Sequence, residues 1–318
     1  MTEPLVSAII PTKNRAASLD TAIRSVLAQR HVEIELCVVD DASDPPVQLA
    51  PDLIDDGRVR VVRADTPVGT AAARNLGVEH THGEFLAFLD DDDEWLPDKT
   101  SAQLTRLVAD EPTVAGVQCG WEFWDDEGTV FTFVPDLDRD LPHLLLERPT
   151  MAPSSVMLRR SAFQAAGGFD PALRRMEDWA LWLRIADRDQ IALISDVLVR
   201  RRAHPGRVVA HDELPDLEIM IDRLRPRLAA LPTAERERLE AHHLLNLGRL
   251  QARAGRRGRA LSTLLVARRK APNKRDATKA IFVAFVVETP MWRLGRRVRL
   301  RLRTRASTAP SEPIVRSW

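Results

Sequence analysis

A short apolar run that ends in five acidic residues constrains this chain more than any other feature. Residues 85–89 are apolar, and four aspartates and a glutamate follow directly at residues 90–94. The apolar run is typical of a buried strand, and the carboxyl ends of parallel strands are where open α/β sheets bind ligands. Crowded carboxylates repel one another unless a cation lies among them, and oxygen ligands suit Mg²⁺ or Mn²⁺. The run therefore predicts a divalent-metal site, with a solvated acidic turn as the plain alternative.

Strands and helices alternate through the first third of the chain. Apolar runs predict buried strands at residues 5–10, 34–39, 59–62 and 85–89, and helices are predicted after the first and the third of these strands. Such alternation indicates βαβ units and a parallel sheet. We therefore predict an α/β fold with a nucleotide-binding, mostly parallel sheet flanked by helices.

The segment that follows this sheet is less regular. Residues 114–134 predict an antiparallel hairpin, residues 154–158 a short strand, and residues 176–186 an amphipathic helix with acids in its first turn. Beyond about residue 210 only helical spacing is found, so a smaller all-helical region is expected over residues 211–290.

The last part of the chain, residues 291–318, is predicted to be a basic segment followed by a disordered tail. Residues 291–303 combine dense arginine with leucine and valine. Basic and apolar segments suit the surface of an anionic membrane. The alternatives are a helix packed on the first domain with its arginines in water, or an arginine-rich strand.

Composition excludes several classes of protein. Lysine plus arginine equals aspartate plus glutamate, at 46 each, so we expect no nucleic-acid partner. The two cysteines, Cys37 and Cys119, form neither a disulfide framework nor a zinc-ligand spacing. The start of the chain has no signal-peptide pattern, and no apolar stretch is long enough to span a bilayer. The expected location is the cytoplasm, with peripheral contact at the inner face of the plasma membrane through residues 291–303.

Six short motifs, in this order, resemble those of the family 2 glycosyltransferases with a GT-A fold. They lie at residues 6–15, 38–43, 73–77, 83–93, 167–170 and 177–179. Each is weak alone, but six in this order are highly specific, and the resemblance covers residues 5 to about 208. The resemblance implies a GT-A domain over residues 1–210 that transfers a sugar, with inversion, from a nucleoside-diphosphate-sugar to an acceptor hydroxyl. It also implies a divalent metal (Mn²⁺ or Mg²⁺) and a carbohydrate or lipid-linked acceptor, in cell-surface polysaccharide or glycolipid synthesis.

The resemblance also implies roles for individual residues. Asp178 would be the general base, paired with Glu177. Asp90 and Asp92 would form the D-x-D metal motif, with His204 near the diphosphate or metal, although His204 could equally be a surface residue before a turn. The expected nucleotide-sugar-binding residues are Pro11, Thr12, Asn14, Arg15, Asp41, Arg74, Asp90 and Asp91.

The chemistry of these residue types fits the same interpretation. A nucleoside diphosphate leaves poorly until its charge is neutralised, and a divalent ion supplies that neutralisation. A single displacement also needs a base for the acceptor proton. The hairpin aromatics could stack on a sugar face, although packing of the sheet is the plain alternative; they are Trp121, Phe123 and Trp124.

Other functions stay open from the sequence. Neither a GxGxxG motif after the first strand nor a P-loop is present. A nucleotidyltransferase would share the sheet and the acids. It would also require a glycine-rich, lysine-bearing loop after the first strand, and residues 11–14 do not form such a loop. A phosphatase with an aspartyl nucleophile would leave Asp41 and the acids at 177–178 unexplained. A non-catalytic nucleotide-sugar-binding protein would be indicated by degraded acids at 90–92 or 178, and these are intact.

Overall fold

The computed structural model describes residues 4–109, 114–125, 128–138, 140–202, 213–275, 278 and 314–317. The chain divides into two compact units, Met1–Pro205 together with Pro313–Trp318, and Gly206–Glu312. His204 and the basic segment 291–303 lie outside the described residues, so the expectations for them stay predictions.

A mixed sheet organises the first unit. Its strands are β1 (Leu5–Thr12), β2 (Glu33–Asp40), β3 (Val59–Arg63), β4 (Phe85–Phe88), β5 (Asp93–Trp95), β6 (Val114–Asp125), β7 (Gly128–Val134), β8 (Val156–Arg159), β9 (Gln190–Arg202) and β10 (Ile314–Ser317). Within the described residues they run in the order β10-β7-β6-β8-β4-β1-β2-β3, with β9 beside β6 and β5 beside β9.

Short helices connect these strands. They are α1 (Ala16–Leu27), α2 (Pro51–Ile54), α3 (Thr70–Glu79), α4 (Lys99–Ala109), α5 (Leu141–Glu147), α6 (Arg160–Ala165) and α7 (Glu177–Ala186), and a 3₁₀ turn spans Pro153–Ser155. Apart from the four-residue α2, which the sequence analysis does not predict, the elements up to β4 follow the predicted order.

The N-terminal half of the sheet is parallel, as predicted. β3, β2, β1 and β4 lie side by side in the same direction. In β1, Val6, Ile9 and Ile10 are fully buried, because crossover helices cover both faces of a parallel sheet. The Leu89 amide still donates to the Ile9 carbonyl at 3.0 Å. The acidic run therefore begins where the sheet ends.

The other half of the sheet is largely antiparallel. β8 pairs with β4 and β6, and β6 pairs with β7, all antiparallel, whereas β9 runs parallel to β6. The strand predicted over 154–158 begins at Val156, because the 3₁₀ turn occupies the preceding residues. The sequence analysis predicts neither β5, which is only three residues long and begins with acids, nor β9, which ends in three arginines.

The tail for which the sequence predicts disorder contains one described strand. β10 pairs in parallel with β7, with Ile314 opposite Phe131. Two β-branched residues, Ile314 and Val315, start this strand, and such residues favour extended backbone. The structure therefore differs from the prediction over these four residues.

Three helices form the second unit within the described residues: α8 (Leu214–Ala229), α9 (Thr233–Arg253) and α10 (Arg257–Lys270). A turn with Gly255 at φ 77° joins α9 to α10. The two helices approach closely at Gly248, where an added Cβ would lie 2.5 Å from Leu264 Cγ. Among the described helices, none combines the length and the apolar character needed to cross a bilayer.

Candidate active site

The acidic run folds into a tight turn that sorts its carboxylates into two groups. The Asp93 amide donates to the Asp90 carbonyl at 3.0 Å, which closes the turn between β4 and β5. Ligand oxygens of Asp90, Asp92 and Asp93 all lie within 4.8 Å of one another. Asp91 instead accepts from Thr12 Oγ1 at 2.7 Å. Three of the four aspartates therefore converge, and the fourth fastens the turn to the loop after β1.

These three carboxylates, the acidic cluster, fit a hard divalent cation. They offer only oxygen ligands, which Mg²⁺ and Mn²⁺ prefer. Burial, together with the charges of Asp90 and Asp92, raises the pKa of the Asp93 carboxyl to about 7 against the lowering effect of Arg201. Ionised carboxylates this close repel one another, and a cation among them would relieve that repulsion and be stabilised by their charge.

Arg15 lies on the other side of the turn. Its Nη1 atom donates to Asp91 Oδ1 at 2.9 Å and to Asp92 Oδ2 at 2.8 Å. The Arg15 side chain is half exposed, so a ligand can compete for its guanidinium. Burial raises the pKa of the Asp91 carboxyl, although its bond to Thr12 opposes the shift.

Arg74 joins the acidic cluster to the start of α7. Its Nη2 donates to Asp90 Oδ1 and its Nη1 donates to Glu177 Oε1, both at 2.6 Å. The Arg74 side chain is only 3% exposed, and its guanidinium lies 5.1 Å from the centre of the Phe169 ring. Burial opposes its charge, yet the carboxylates of Asp90 and Glu177 raise the pKa of Arg74 above its ordinary value.

Asp178 stands in the first turn of α7, after a strained residue. Met176 at the N-cap has φ 61°, a left-handed conformation that side chains other than glycine adopt rarely, and such strain clusters at functional sites. Asp178 Oδ1 accepts from the Trp179 amide at 2.7 Å. Burial, and next the charge of Glu177, raise the pKa of the Asp178 carboxyl to about 7. A carboxylate with this pKa is suited to general-base chemistry near neutral pH.

Two tryptophans hold α7 in place. Trp179 Nε1 donates to the Leu145 carbonyl at 2.7 Å, and Trp182 Nε1 donates to the Met151 carbonyl at 3.0 Å. Both indoles are buried. The first turn of α7 is therefore held by backbone contacts from the segment that contains α5.

Asn75 explains why two separate sequence motifs meet here. Its Nδ2 donates to the Phe169 carbonyl at 2.8 Å, and its Oδ1 accepts from the Phe169 amide at 3.0 Å. The Phe169 ring packs edge-on against Phe88, with centroids 4.9 Å apart. Asn75 is thus structural, whereas its neighbour Arg74 faces the acidic cluster and Glu177.

The loops after β1 and β2 are tied to each other. The Asn14 amide donates to Ser43 Oγ at 3.0 Å, and the Asp44 amide donates to Asn14 Oδ1 at 2.8 Å. Pro11 lies in β1 opposite Val39 of β2. The predicted nucleotide-binding loop is therefore part of a double loop at the carboxyl edge of the sheet.

Asp41 fastens a third loop. Its two carboxylate oxygens accept from the amides of Val68 at 2.6 Å and Gly69 at 3.1 Å, just before α3. Gly69 has φ 85°, a conformation that glycine adopts without strain. Asp41 thus holds the loop before α3 in this structure, and its predicted contact with the base and ribose stays a prediction.

The structure gathers the predicted site residues that it describes around one edge of the sheet. They are Pro11, Thr12, Asn14, Arg15, Asp41, Arg74, Asp90, Asp91, Asp92, Glu177 and Asp178. Sequence reasoning missed Asp93, which belongs to the acidic cluster, and also Ser154 and Arg201, which contact Asp93. Only Asp93 carried a signal, because it stands in the acidic run.

The hairpin aromatics pack on each other. Trp121 stacks on Phe133 with centroids 5.2 Å apart and meets Phe123 edge-on at 4.9 Å. The Arg201 guanidinium lies 5.2 Å from the centre of the Trp121 ring. These contacts favour the packing interpretation over stacking on a sugar.

Comparison with known proteins decides the family. The sequence profile of glycosyl transferase family 2 matches residues 7–167, about half of the chain. The chain belongs to glycosyl transferase family 2. The Escherichia coli UDP-Glc:alpha-D-GlcNAc-diphosphoundecaprenol beta-1,3-glucosyltransferase WfgD is 28% identical over 195 residues, which cover 61% of this chain and 75% of WfgD.

Two solved structures resemble this family 2 member. The 1–349 fragment of S. aureus TarS in complex with UDP-GlcNAc matches with a TM-score of 0.62 at 16% identity, covering 91% of this chain and 92% of the fragment. In the longer TarS chain the match covers 54%. The mannosyltransferase PcManGT from Pyrobaculum calidifontis, in complex with GDP-Man and Mn²⁺, matches with a TM-score of 0.55 at 19% identity, covering 96% and 87%.

These comparisons confirm the predicted family, the GT-A type of α/β fold and the class of enzyme. The chain is a glycosyltransferase. The nucleotidyltransferase and non-catalytic alternatives are therefore set aside.

Proposed function

We propose that this glycosyltransferase moves a sugar from a nucleoside-diphosphate-sugar to an acceptor hydroxyl by a metal-assisted, inverting single displacement. One observation carries the proposal. The buried Arg74 guanidinium joins Asp90 of the acidic cluster to Glu177, the neighbour of Asp178, through two 2.6 Å hydrogen bonds. A candidate metal site and a candidate base thereby share one rigid connection.

The acidic cluster would hold the metal ion, with Asp92 as the principal ligand and Asp90 beside the ion or the donor's ribose. A bound Mn²⁺ or Mg²⁺ supplies neutralisation of the charge that develops on the leaving diphosphate. The Mn²⁺ in the PcManGT complex supports this choice of ion. His204 stays a predicted further ligand.

Asp178 would remove the proton from the acceptor hydroxyl. Its pKa of about 7 lets it accept a proton near neutral pH. A base that acts opposite the leaving group produces inversion at the anomeric carbon. Glu177 would orient the base, since it is held by Arg74.

The donor would be bound by the double loop and by Arg74. The base and ribose would meet Pro11, Thr12, Asn14, Arg15 and Asp41. Arg15 is half exposed, although it is bonded to Asp91 and Asp92, so its guanidinium is accessible to the donor nucleotide. The UDP-GlcNAc bound to TarS supports a nucleotide-sugar donor.

The acceptor would be a lipid-linked carbohydrate, in synthesis of a cell-surface polysaccharide or glycolipid. The name of WfgD, which specifies a diphosphoundecaprenol-linked acceptor, supports this proposal. Peripheral contact with the inner face of the plasma membrane would then involve residues 291–303. Flotation with anionic liposomes tests that contact, because truncation after Pro290 is expected to abolish binding at low salt, and equal flotation of both forms would refute it.

A screen of nucleotide-sugars for Mn²⁺-dependent hydrolysis tests the reaction and identifies the donor. With that donor, Asp178→Asn is expected to lower kcat by about 10²–10⁴-fold while calorimetric donor affinity stays near normal. Asp92→Asn is expected to abolish metal-dependent turnover. The matched control is Asp187→Asn, an exposed acid just after the other end of α7. Full activity in EDTA, or undiminished turnover in both site variants, would refute the mechanism.

A further inference from the structure

The Ser154 hydroxyl lies between the two ends of the acidic turn. It accepts from the Asp90 amide at 3.2 Å and donates to Asp93 Oδ2 at 2.7 Å. Ser154 is fully buried and comes from the 3₁₀ turn before β8. One side-chain oxygen from a distant part of the sequence thus bonds both to the backbone at the start of the turn and to the carboxylate at its end.

Ser154 is itself held from behind. Its carbonyl accepts from Trp95 Nε1 at 2.9 Å. The next carbonyl, of Ser155, accepts from Gln103 Nε2 at 2.9 Å, and Gln103 Oε1 accepts from the buried amine of Lys99 at 2.7 Å. These contacts come from β5 and α4, so the hydroxyl has a fixed position relative to the acidic turn.

Asp93 has a second fixed partner. Arg201 Nε donates to Asp93 Oδ2 at 3.2 Å, the same oxygen that Ser154 contacts. The Arg201 guanidinium packs against the rings of Trp121 and Phe123, 5.2 and 5.3 Å from their centres. Asp93 is therefore oriented by a hydroxyl and a guanidinium that both donate to its Oδ2 atom.

We propose that Ser154 is a positioning residue that sets the affinity of the acidic cluster for a divalent cation. It would do so by fixing the Asp90 backbone and the Asp93 carboxylate at the separation that the ion requires. Partners that orient metal ligands change metal affinity by about 10- to 100-fold when they are removed. This inference rests on the proposed metal-assisted function and extends it to a residue that no motif contains.

Direct binding of Mn²⁺, measured by electron paramagnetic resonance of the free ion with and without UDP or GDP, tests the proposal without any turnover. Ser154→Ala is expected to raise the Kd for Mn²⁺ by about 10- to 100-fold. Ser154→Cys keeps a donor at this position, although the thiol is larger and donates more weakly, so an intermediate Kd is expected. Circular dichroism and the midpoint of thermal unfolding establish that each variant is folded.

Ser155→Ala is the matched control. Ser155 is equally buried, and its hydroxyl donates to the Ala152 carbonyl at 2.8 Å. This variant loses one buried hydrogen bond from the same 3₁₀ turn, so it reproduces any general loss of stability. Its Mn²⁺ affinity is expected to stay within about three-fold of the unmodified chain, well below the change expected of an orienting partner.

The outcomes separate the two proposals. If the unmodified chain binds Mn²⁺ and both Ser154 variants bind it equally well, the positioning role is refuted while the proposed function survives. The positioning role is also refuted if Ser155→Ala weakens Mn²⁺ binding as much as Ser154→Ala does. If the unmodified chain binds no Mn²⁺ even with UDP or GDP, the metal-assisted function itself is refuted.

Discussion

Replacing Arg74 with methionine is expected to destabilise the first unit strongly. The substitution removes a buried cation and leaves the carboxylates of Asp90 and Glu177 without their shared partner. Removing one member of a buried ion pair costs about 3–5 kcal/mol, because the remaining charge stays desolvated. The Glu177 side chain is 10% exposed and that of Asp90 is 26% exposed. Water can therefore reach Asp90 in part, so we expect about 3 kcal/mol, at the lower end of this range.

Thermal unfolding followed by circular dichroism measures this loss. In a unit of this size, 1 kcal/mol lowers Tm by about 2–4 °C, so Arg74→Met is expected to lower it by about 6–12 °C. Arg74→Lys keeps the charge but lacks the planar fork, so it bonds well to only one carboxylate and is expected to lose less. The control is Arg24→Met, because Arg24 also contacts two aspartates but is 48% exposed. Exposed pairs contribute little, so its Tm is expected to fall by less than about 2 °C.

A second substitution checks the physical reason for the loss. In the Arg74→Met background, Glu177→Gln removes the carboxylate that is left buried and unpaired, so part of the lost Tm is expected to return. In the unmodified chain, Glu177→Gln is expected to be destabilising instead, because it breaks the bond to Arg74. A loss of Tm in Arg74→Met no larger than in Arg24→Met would refute the reasoning, as would a further loss in the double variant.

Two further predictions concern pH. The proposed base, Asp178, would act only when deprotonated, and its pKa is raised to about 7, so kcat/KM is expected to fall as pH drops below about 7. The residual activity of Asp178→Asn is then expected to show no such fall, and the same fall in this variant would assign the base to another residue. Burial lowers the pKa of the Lys99 amine to about 8 from 10.5. Between pH 8 and 10.5 the unfolded chain therefore holds a proton on Lys99 that the native state has lost. The stability associated with this group is present above pH 10.5 and lost as pH falls through 8. Lys99→Met is therefore expected to raise Tm relative to the unmodified chain more at pH 6.5 than at pH 9.5, and a difference independent of pH would contradict this.

The order of strands and helices up to β4, apart from the four-residue α2, was determined by the sequence itself. A buried strand or helix has a characteristic local pattern of apolar residues, and the apolar runs at residues 5–10 and 85–89 show this pattern within a few residues. The position of the acids directly after a buried run also placed them at the ligand-binding edge of the sheet. These inferences needed no knowledge of which elements meet in space.

Only the tertiary structure decided which polar groups are partners. Neighbouring acids have different partners because the turn separates them: Asp91 contacts Thr12, whereas Asp92 and Asp93 join Asp90. Arg74 contacts Glu177 across a sequence separation of 103 residues. A local pattern of apolar residues cannot predict such a pairing.

The same reason explains what sequence reasoning missed. Ser154 is an ordinary serine in a short turn, and Arg201 is the middle of three arginines at the end of a strand. Asp41, which a motif assigns to the donor, uses both carboxylate oxygens on the amides of Val68 and Gly69. Hydrogen-bond direction depends on positions set by packing across the whole sheet. The residue types at the edge were therefore readable from the chain, but their mutual orientation was set by the fold.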